Sequence, residues 1–248
     1  MHRYQILIEY VGTNFIGWQI QPKGQSVQKL IQNKISKLLK ERVNLVGSGR
    51  TDSGVHAIEQ SAHFDCKKKI ENLDKFLQSI NYFLNIKLVS ITSIKKRSLS
   101  FHARFSAKQR IYTYIIFNRV SRPSIEKNRG WHIKKKLDLK LMKKSAKKLL
   151  GTNDFSTFRS SACNAKSPIR TMKSIKIKEV KNKNKIKIQF KSKSFLQQQV
   201  RSMVGCLKSV AEKKWDLKKF EKIFKSKKRS LCAAPAPAHG LFLEKIIY

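Results

Sequence analysis

The stretch Gly47-Ser48-Gly49-Arg50-Thr51-Asp52-Ser53-Gly54-Val55-His56-Ala57 sets one carboxylate and one guanidinium among three glycines. Glycine lets a backbone approach a ligand closely, so such a loop can present Asp52 and Arg50 with little obstruction. Taken alone, it reads as readily as a tight connection in which Asp52 only caps a turn. A dinucleotide fingerprint would need glycine where Asp52 stands, and a phosphate-cradling loop would need Gly-Lys-Ser or Gly-Lys-Thr after its spacer; neither pattern is met. Asp52-Ser53-Gly54 also fits the Asp-Ser/Thr-Gly of an aspartic protease. Those enzymes need a paired carboxylate from a second copy or from a dimer, and the chain holds no second copy.

The elements around the loop follow from hydrophobic period. Residues 4–10 alternate apolar and polar, with Ile6 and Ile8 on one face, and 58–64 and 86–94 carry similar β signals. Ser26 can cap a helix whose apolar positions Val27, Leu30, Ile31, Ile35, Leu38 and Leu39 recur at helical spacing, and 72–84 reads likewise. In the second half a strand is expected at 110–117, a helix at 138–150 stopped by Gly151, and strands near 171–180 and 185–191. Helices at 195–212 and 216–224 then precede a final strand at 240–247, set off by Pro235 and Pro237. Two α/β subdomains, 1–106 with the Asp52 loop and 107–248, are the economical reading, with a cleft suited to a nucleotide.

Composition points to the partner. Lys and Arg number 55 against 15 Asp and Glu, a formal net charge of +40. Runs at 67–69, 134–136 and 181–187 read as solvated surface and part of a compositional drift toward lysine. Drift explains less well the scarcity of acids, which leaves a field that phosphates feel at long range and makes binding salt dependent. Cys66, Cys163, Cys206 and Cys232 are widely spaced and form no Cys-x-x-Cys pair, so free buried thiols in a reducing compartment are expected rather than a zinc site or disulfide framework. Residues 1–10 lack an apolar leader core, and no run approaches the roughly 20 apolar residues of a spanning helix, so the chain reads as cytoplasmic, with no membrane partner.

Gly49-Arg50-Thr51-Asp52-Ser53-Gly54-Val55-His56 resembles the Gly-Arg-Thr-Asp-x-Gly-Val-His signature of the TruA family of tRNA pseudouridine synthases. The resemblance extends along nearly the whole chain. It includes Glu9-Tyr10-Val11-Gly12, Gly17-Trp18-Gln19, Ser26-Val27-Gln28, Gln60 and His63-Phe64. It continues through Phe101-His102-Ala103-Arg104-Phe105-Ser106-Ala107, Arg110-Ile111-Tyr112-Thr113-Tyr114 and Asp154-Phe155-Ser156-Thr157-Phe158-Arg159. Val200-Arg201, Val204-Gly205, Ala236-Pro237-Ala238 and Gly240-Leu241-Phe242-Leu243 complete it. The chain departs from the pattern at Val11, where the family usually has aspartate, and at Gln197-Gln198-Gln199, usually richer in histidine and methionine.

The resemblance implies the pseudouridine synthase fold: two α/β subdomains sharing a mainly antiparallel central sheet with a basic active-site cleft. It implies an isomerase that converts uridine to pseudouridine in the tRNA anticodon stem-loop, at tRNA positions 38, 39 and 40, as a homodimer and without cofactor. Asp52 would be the catalytic carboxylate, either as a nucleophile or as a base in a route through a glycal. Arg201 would be its cationic partner, Tyr112 would stack on the target uracil, and Leu243 would line the apolar floor. Arg201 interrupts an otherwise apolar stripe of Phe195, Leu196, Val200, Val204 and Leu207, so facing inward it would want a carboxylate. Phosphate contact is the simplest role for Arg50. His56, His63 and His102 have no metal-ligand spacing and read as structural. The alternative is a non-catalytic basic RNA-binding protein, which would account for the charge but leave the Asp52 loop unexplained.

Overall fold

A computed structural model describes residues 1–180 and 184–248; the part of the lysine run 181–187 that falls at 181–183 lies outside the described residues. The chain forms two compact units, Met1–Lys108 with Phe242–Tyr248, and Gln109–Leu241.

The first unit contains β1 (His2–Tyr10), α1 (Val27–Leu39), β2 (Val46–Gly47), β3 (His56–Cys66), α2 (Leu73–Leu84) and β4 (Val89–Arg97). β1 is central, antiparallel to β3 with Ile6 opposite Ala62 and antiparallel to β4 with Ile6 opposite Ile94. The alternation read from sequence buries Tyr4, Ile6, Ile8 and Tyr10 on one face. Against the core α1 places Val27, Leu30, Ile31 and Ile35. Ser26 Oγ accepts the Lys29 N–H at 3.2 Å and Asn72 Oδ1 accepts that of Lys75 at 2.8 Å, caps that stabilise a helix by about 1 kcal/mol each. The expected strand at 86–94 begins three residues later. Asn85–Lys87 closes a 3₁₀ turn and Leu88 takes a left-handed φ of 55°, which leaves Ile86 and Leu88 exposed instead of in the sheet.

The second unit contains β5 (Gln109–Asn118), β6 (Trp131–Ile133), α3 (Leu139–Lys147), β7 (Gly151–Asp154), β8 (Ile169–Val180), β9 (Lys185–Ser192), α4 (Gln199–Ala211) and α5 (Leu217–Lys225). β5, β9, β8 and β7 pair antiparallel in that order, and β6 runs parallel to β5. Asp138 and Asp216 cap α3 and α5 through their carboxylates. α4 starts four residues after the expected 195, because Gln198 is left-handed (φ 60°) and Gln199 Oε1 takes the Leu196 N–H at 2.8 Å. Phe195 and Leu196 therefore lie off the helix, and the apolar stripe that Arg201 interrupts is carried by Val200, Val204 and Leu207.

The last strand, β10 (Leu241–Ile247), pairs parallel with β3, Phe242 opposite His56 and Leu243 opposite Ala57. The sequence reading ran the second subdomain to 248, because a strand's period says nothing about which distant strand will receive it. Both units are mixed α/β with mainly antiparallel pairing. Among the described residues no helix is long and apolar enough to cross a membrane.

Candidate active site

The Asp52 loop leaves β2 and enters β3, and its neighbours fix it from both ends. The Ser48 N–H donates to Ser61 O at 2.8 Å and Ser48 Oγ to Gln60 Oε1 at 2.7 Å. Gln60 Nε2 donates to Gly49 O at 2.8 Å, so a fully buried amide ties the outgoing arm to β3. On the far side the segment 10–18 presses on the loop. Trp18 N–H donates to Thr51 O at 3.1 Å, Gly17 and Asp52 form an antiparallel bridge, and Ser53 Oγ donates to Phe15 O at 3.1 Å. Tyr10 Oη and Thr51 Oγ1 share a hydrogen bond of 2.7 Å, and the Gly12 N–H donates to His56 Nδ1 at 3.0 Å.

Gly17 makes that close approach feasible. Its φ is 112°, and a Cβ there would stand 2.6 Å from Thr51 O and 3.2 Å from the Asp52 carbonyl carbon. Such a position admits glycine and strains any L residue. The outcome is a backbone held on both flanks at Thr51 and Asp52, with residue Asp52 half-buried and Arg50 exposed.

Leu243 belongs to the same unit. It is fully buried in β10 beside Ala57, and the preceding Phe242 stacks on His56 with ring centroids 4.7 Å apart. The C-terminal strand thus brings Leu243 to the base of the Asp52 loop. The histidines serve the backbone: His63 Nδ1 accepts from Ala103 N–H at 3.1 Å and His102 Nδ1 from Arg104 N–H at 3.1 Å. Burial, then repulsion from Arg3 and His102, lowers the His63 pKa to about 4, so the ring stays neutral as the accepted hydrogen bond requires.

Within the second unit, Tyr112 lies on β5 opposite Phe190 of β9 and is 8% exposed, with Phe195 meeting it edge-on at 5.1 Å. Phe195, expected on the helix face with Arg201, instead closes over this ring. Arg201 is in the first turn of α4 and half-buried. Its Nε donates to Ala236 O at 2.8 Å while the Ala236 N–H donates to Arg201 O at 3.0 Å, a reciprocal clasp.

The sequence reading quoted Tyr114 without a contact for it and did not single out His239. Tyr114 is fully buried, donates its hydroxyl to Pro237 O at 2.8 Å, and burial raises its pKa although Arg201 opposes. His239 has a pKa lowered by burial and by Arg201, against a hydrogen bond to the Gly130 backbone. Arg201 therefore influences both, and the 236–240 segment carries the contacts. The sequence signals were the Arg110 to Tyr114 and Ala236-Pro237-Ala238 blocks, and neither indicated that they touch each other.

A carboxylate on a fixed backbone, in a strongly basic chain, is suited to polyanion chemistry, and similarity to known proteins makes the family definite. The model of the family described as tRNA pseudouridine synthase matches residues 6–106 and 145–248. The tRNA pseudouridine synthase A of Pelagibacter ubique (strain HTCC1062) is 74% identical over 248 residues, covering the whole of both chains. That of Orientia tsutsugamushi (strain Ikeda) is 37% identical over 284 aligned positions, again covering both chains completely. A solved Cbf5-Nop10-Gar1 complex gives a TM-score of 0.35 at 10% identity, over 82% of this chain and 54% of that one. The chain belongs to the tRNA pseudouridine synthase family, a family of isomerases.

Proposed function

We propose that the protein isomerises uridine to pseudouridine in the anticodon stem-loop of tRNA, at tRNA positions 38, 39 and 40, acting in the cytoplasm as a homodimer. The observation that carries the reading is Asp52, half-buried on a loop whose backbone is pinned at Thr51 and Asp52. The reaction cleaves the bond from C1′ to the uracil nitrogen, turns the base and joins C1′ to C5, expelling the C5 hydrogen. No electrons are exchanged, so acid–base groups and an ionised carboxylate suffice and no redox cofactor is called for.

In this proposal Asp52 acts at the sugar, as nucleophile at C1′ or as the base that opens a glycal route. Arg201 is the cation that keeps it ionised, since burial raises a carboxylate's pKa and a guanidinium lowers it. Tyr112 stacks on the extruded uracil, as an aromatic face can on an unstacked base. Leu243 supplies the apolar floor, and Arg50, exposed beside Asp52, contacts phosphate.

The test uses unmodified tRNA tritiated at C5 of uridine. Wild-type protein releases tritium to water and Asp52→Asn does not, while tRNA affinity is largely kept. Absence of release by a folded wild-type protein that still binds tRNA would replace this reading with a non-catalytic RNA-binding role.

A further inference from the structure

The fold brings together two cysteines 26 residues apart in the chain. Cys206 and Cys232 have their sulfurs 3.4 Å from one another. Cys206 is fully buried on α4, whereas Cys232, which closes the 3₁₀ turn Arg229–Leu231, is partly exposed. The surrounding segment is fastened to α4 on both sides of the pair. Before it, Arg229 Nη1 donates to Ser202 Oγ at 2.8 Å; after it, Ala236 and Arg201 make their reciprocal clasp. Between them the backbones touch, since a Cβ on Gly205 would stand 2.2 Å from Ala234 O. The sulfur contact is therefore built into the packing of 229–236 on the helix.

We propose that Cys206 and Cys232 form an oxidant-sensitive thiol pair, in which a peroxide oxidises the accessible Cys232 and the buried Cys206 then closes an intramolecular disulfide. Access assigns the order, and electrostatics agree with it. The hydrogen bond shared by the two sulfurs, with Arg229 alongside, holds the Cys232 thiol below its ordinary pKa; that same hydrogen bond and burial push Cys206 up. The Cys232 thiolate attacks one peroxide oxygen, breaking the O–O bond and leaving Cys232 as sulfenic acid and hydroxide, which takes up a proton to become water. The Cys206 sulfur then attacks the sulfenic sulfur, the S–O bond breaks, and the departing hydroxyl leaves with the Cys206 proton as a second water. Two thiols lose two hydrogens and one peroxide is reduced.

The experiment treats full-length reduced protein with equimolar hydrogen peroxide, quenches it, and alkylates the remaining thiols in denaturant before peptide mass analysis. The expected result is simultaneous loss of alkylation at Cys206 and Cys232, a mass lower by two hydrogens, and a linked peptide that dithiothreitol separates. Cys66 and Cys163 remain alkylatable as internal controls. In Cys206→Ser the sulfenic acid persists on Cys232 and is captured by dimedone. Over-oxidation of Cys232 without a crosslink in the wild type, a disulfide joining any other pair, or oxidation confined to Cys66 or Cys163 would overturn the proposal. The wild-type readout stands by itself, so a poorly folding variant leaves the test intact.

Discussion

Replacing Gly17 with alanine isolates what the backbone of the Asp52 loop contributes. Two separate penalties arise. The φ of 112° is a conformation that L residues rarely adopt, with a strain of about 1–3 kcal/mol. The new Cβ would also stand 2.6 Å from Thr51 O, about 0.8 Å inside ordinary contact, which begins near 3.4 Å. Thr51 O is backbone, held by the Trp18 N–H and next to Asp52, so relief means moving the Thr51–Asp52 peptide by most of that distance. A misplacement of about 1 Å can reduce turnover by about a hundredfold. Gly17→Ala should therefore lose about 2 kcal/mol of stability in urea melts. Tritium release under single-turnover conditions should fall by roughly ten- to a hundredfold, with tRNA binding little changed in a filter assay. Gly151→Ala separates strain from displacement: its φ is 87°, but nothing lies within 4 Å of the added Cβ. It should show a stability loss from strain alone, no larger than that of Gly17→Ala, and wild-type turnover. Equal turnover in the two variants, whether unchanged or lowered, would refute the claim that the 10–18 segment positions Asp52.

Tyr112→Phe keeps the ring and its edge contact with Phe195, so tRNA affinity should hold while turnover drops by about tenfold, the worth of one lost hydrogen bond; unchanged turnover would confine the hydroxyl to packing. His63 predicts an acid limit on stability. Its folded pKa of about 4 lies below the ordinary 6.5, so below pH 6.5 the unfolded chain binds the proton that the folded protein refuses. Stability is thus lost as pH falls from 6.5 to 4, by up to about 3 kcal/mol, and this contribution is flat below that window. Urea melts at pH 7, 5.5 and 4 should show a steeper acid loss for wild type than for His63→Gln; parallel losses would remove His63 as the cause.

What was legible in the sequence was what local chemistry encodes. Ser26 capped α1 as read, because a cap and an apolar period lie within a few residues of each other. Other features depended on partners far along the chain. Nothing near residue 195 signals that Gln198 turns left-handed, a change that moved Phe195 from the helix face onto Tyr112. The Tyr114 hydroxyl finds Pro237 O at a separation of 123 residues, and Cys206 meets Cys232 at 26, distances at which spacing carries no information. The return of β10 to β3 is of the same kind: its alternation identified a strand and left the receiving strand undetermined.

The same division explains why the motif loop and its positioning differ in how they could be read. Gly-Arg-Thr-Asp carries the carboxylate proposed to react, and the resemblance is what singles it out. The restraints on that carboxylate come from residues 33 to 41 positions earlier, which look like an ordinary strand end and turn: Tyr10 Oη on Thr51, Trp18 N–H on Thr51 O, and Phe15 O accepting from Ser53. Each is a modest hydrogen bond of about 1 kcal/mol. They act on Thr51 and Ser53, the two neighbours of Asp52, from a segment whose own side chains Tyr10, Phe15 and Trp18 are buried in the core. The loop consequently inherits the rigidity of β1 instead of depending on its glycines, which are permissive and would by themselves leave Asp52 poorly placed. The role proposed for Asp52 requires that inheritance, because orientation contributes to rate only where the backbone beneath it does not move.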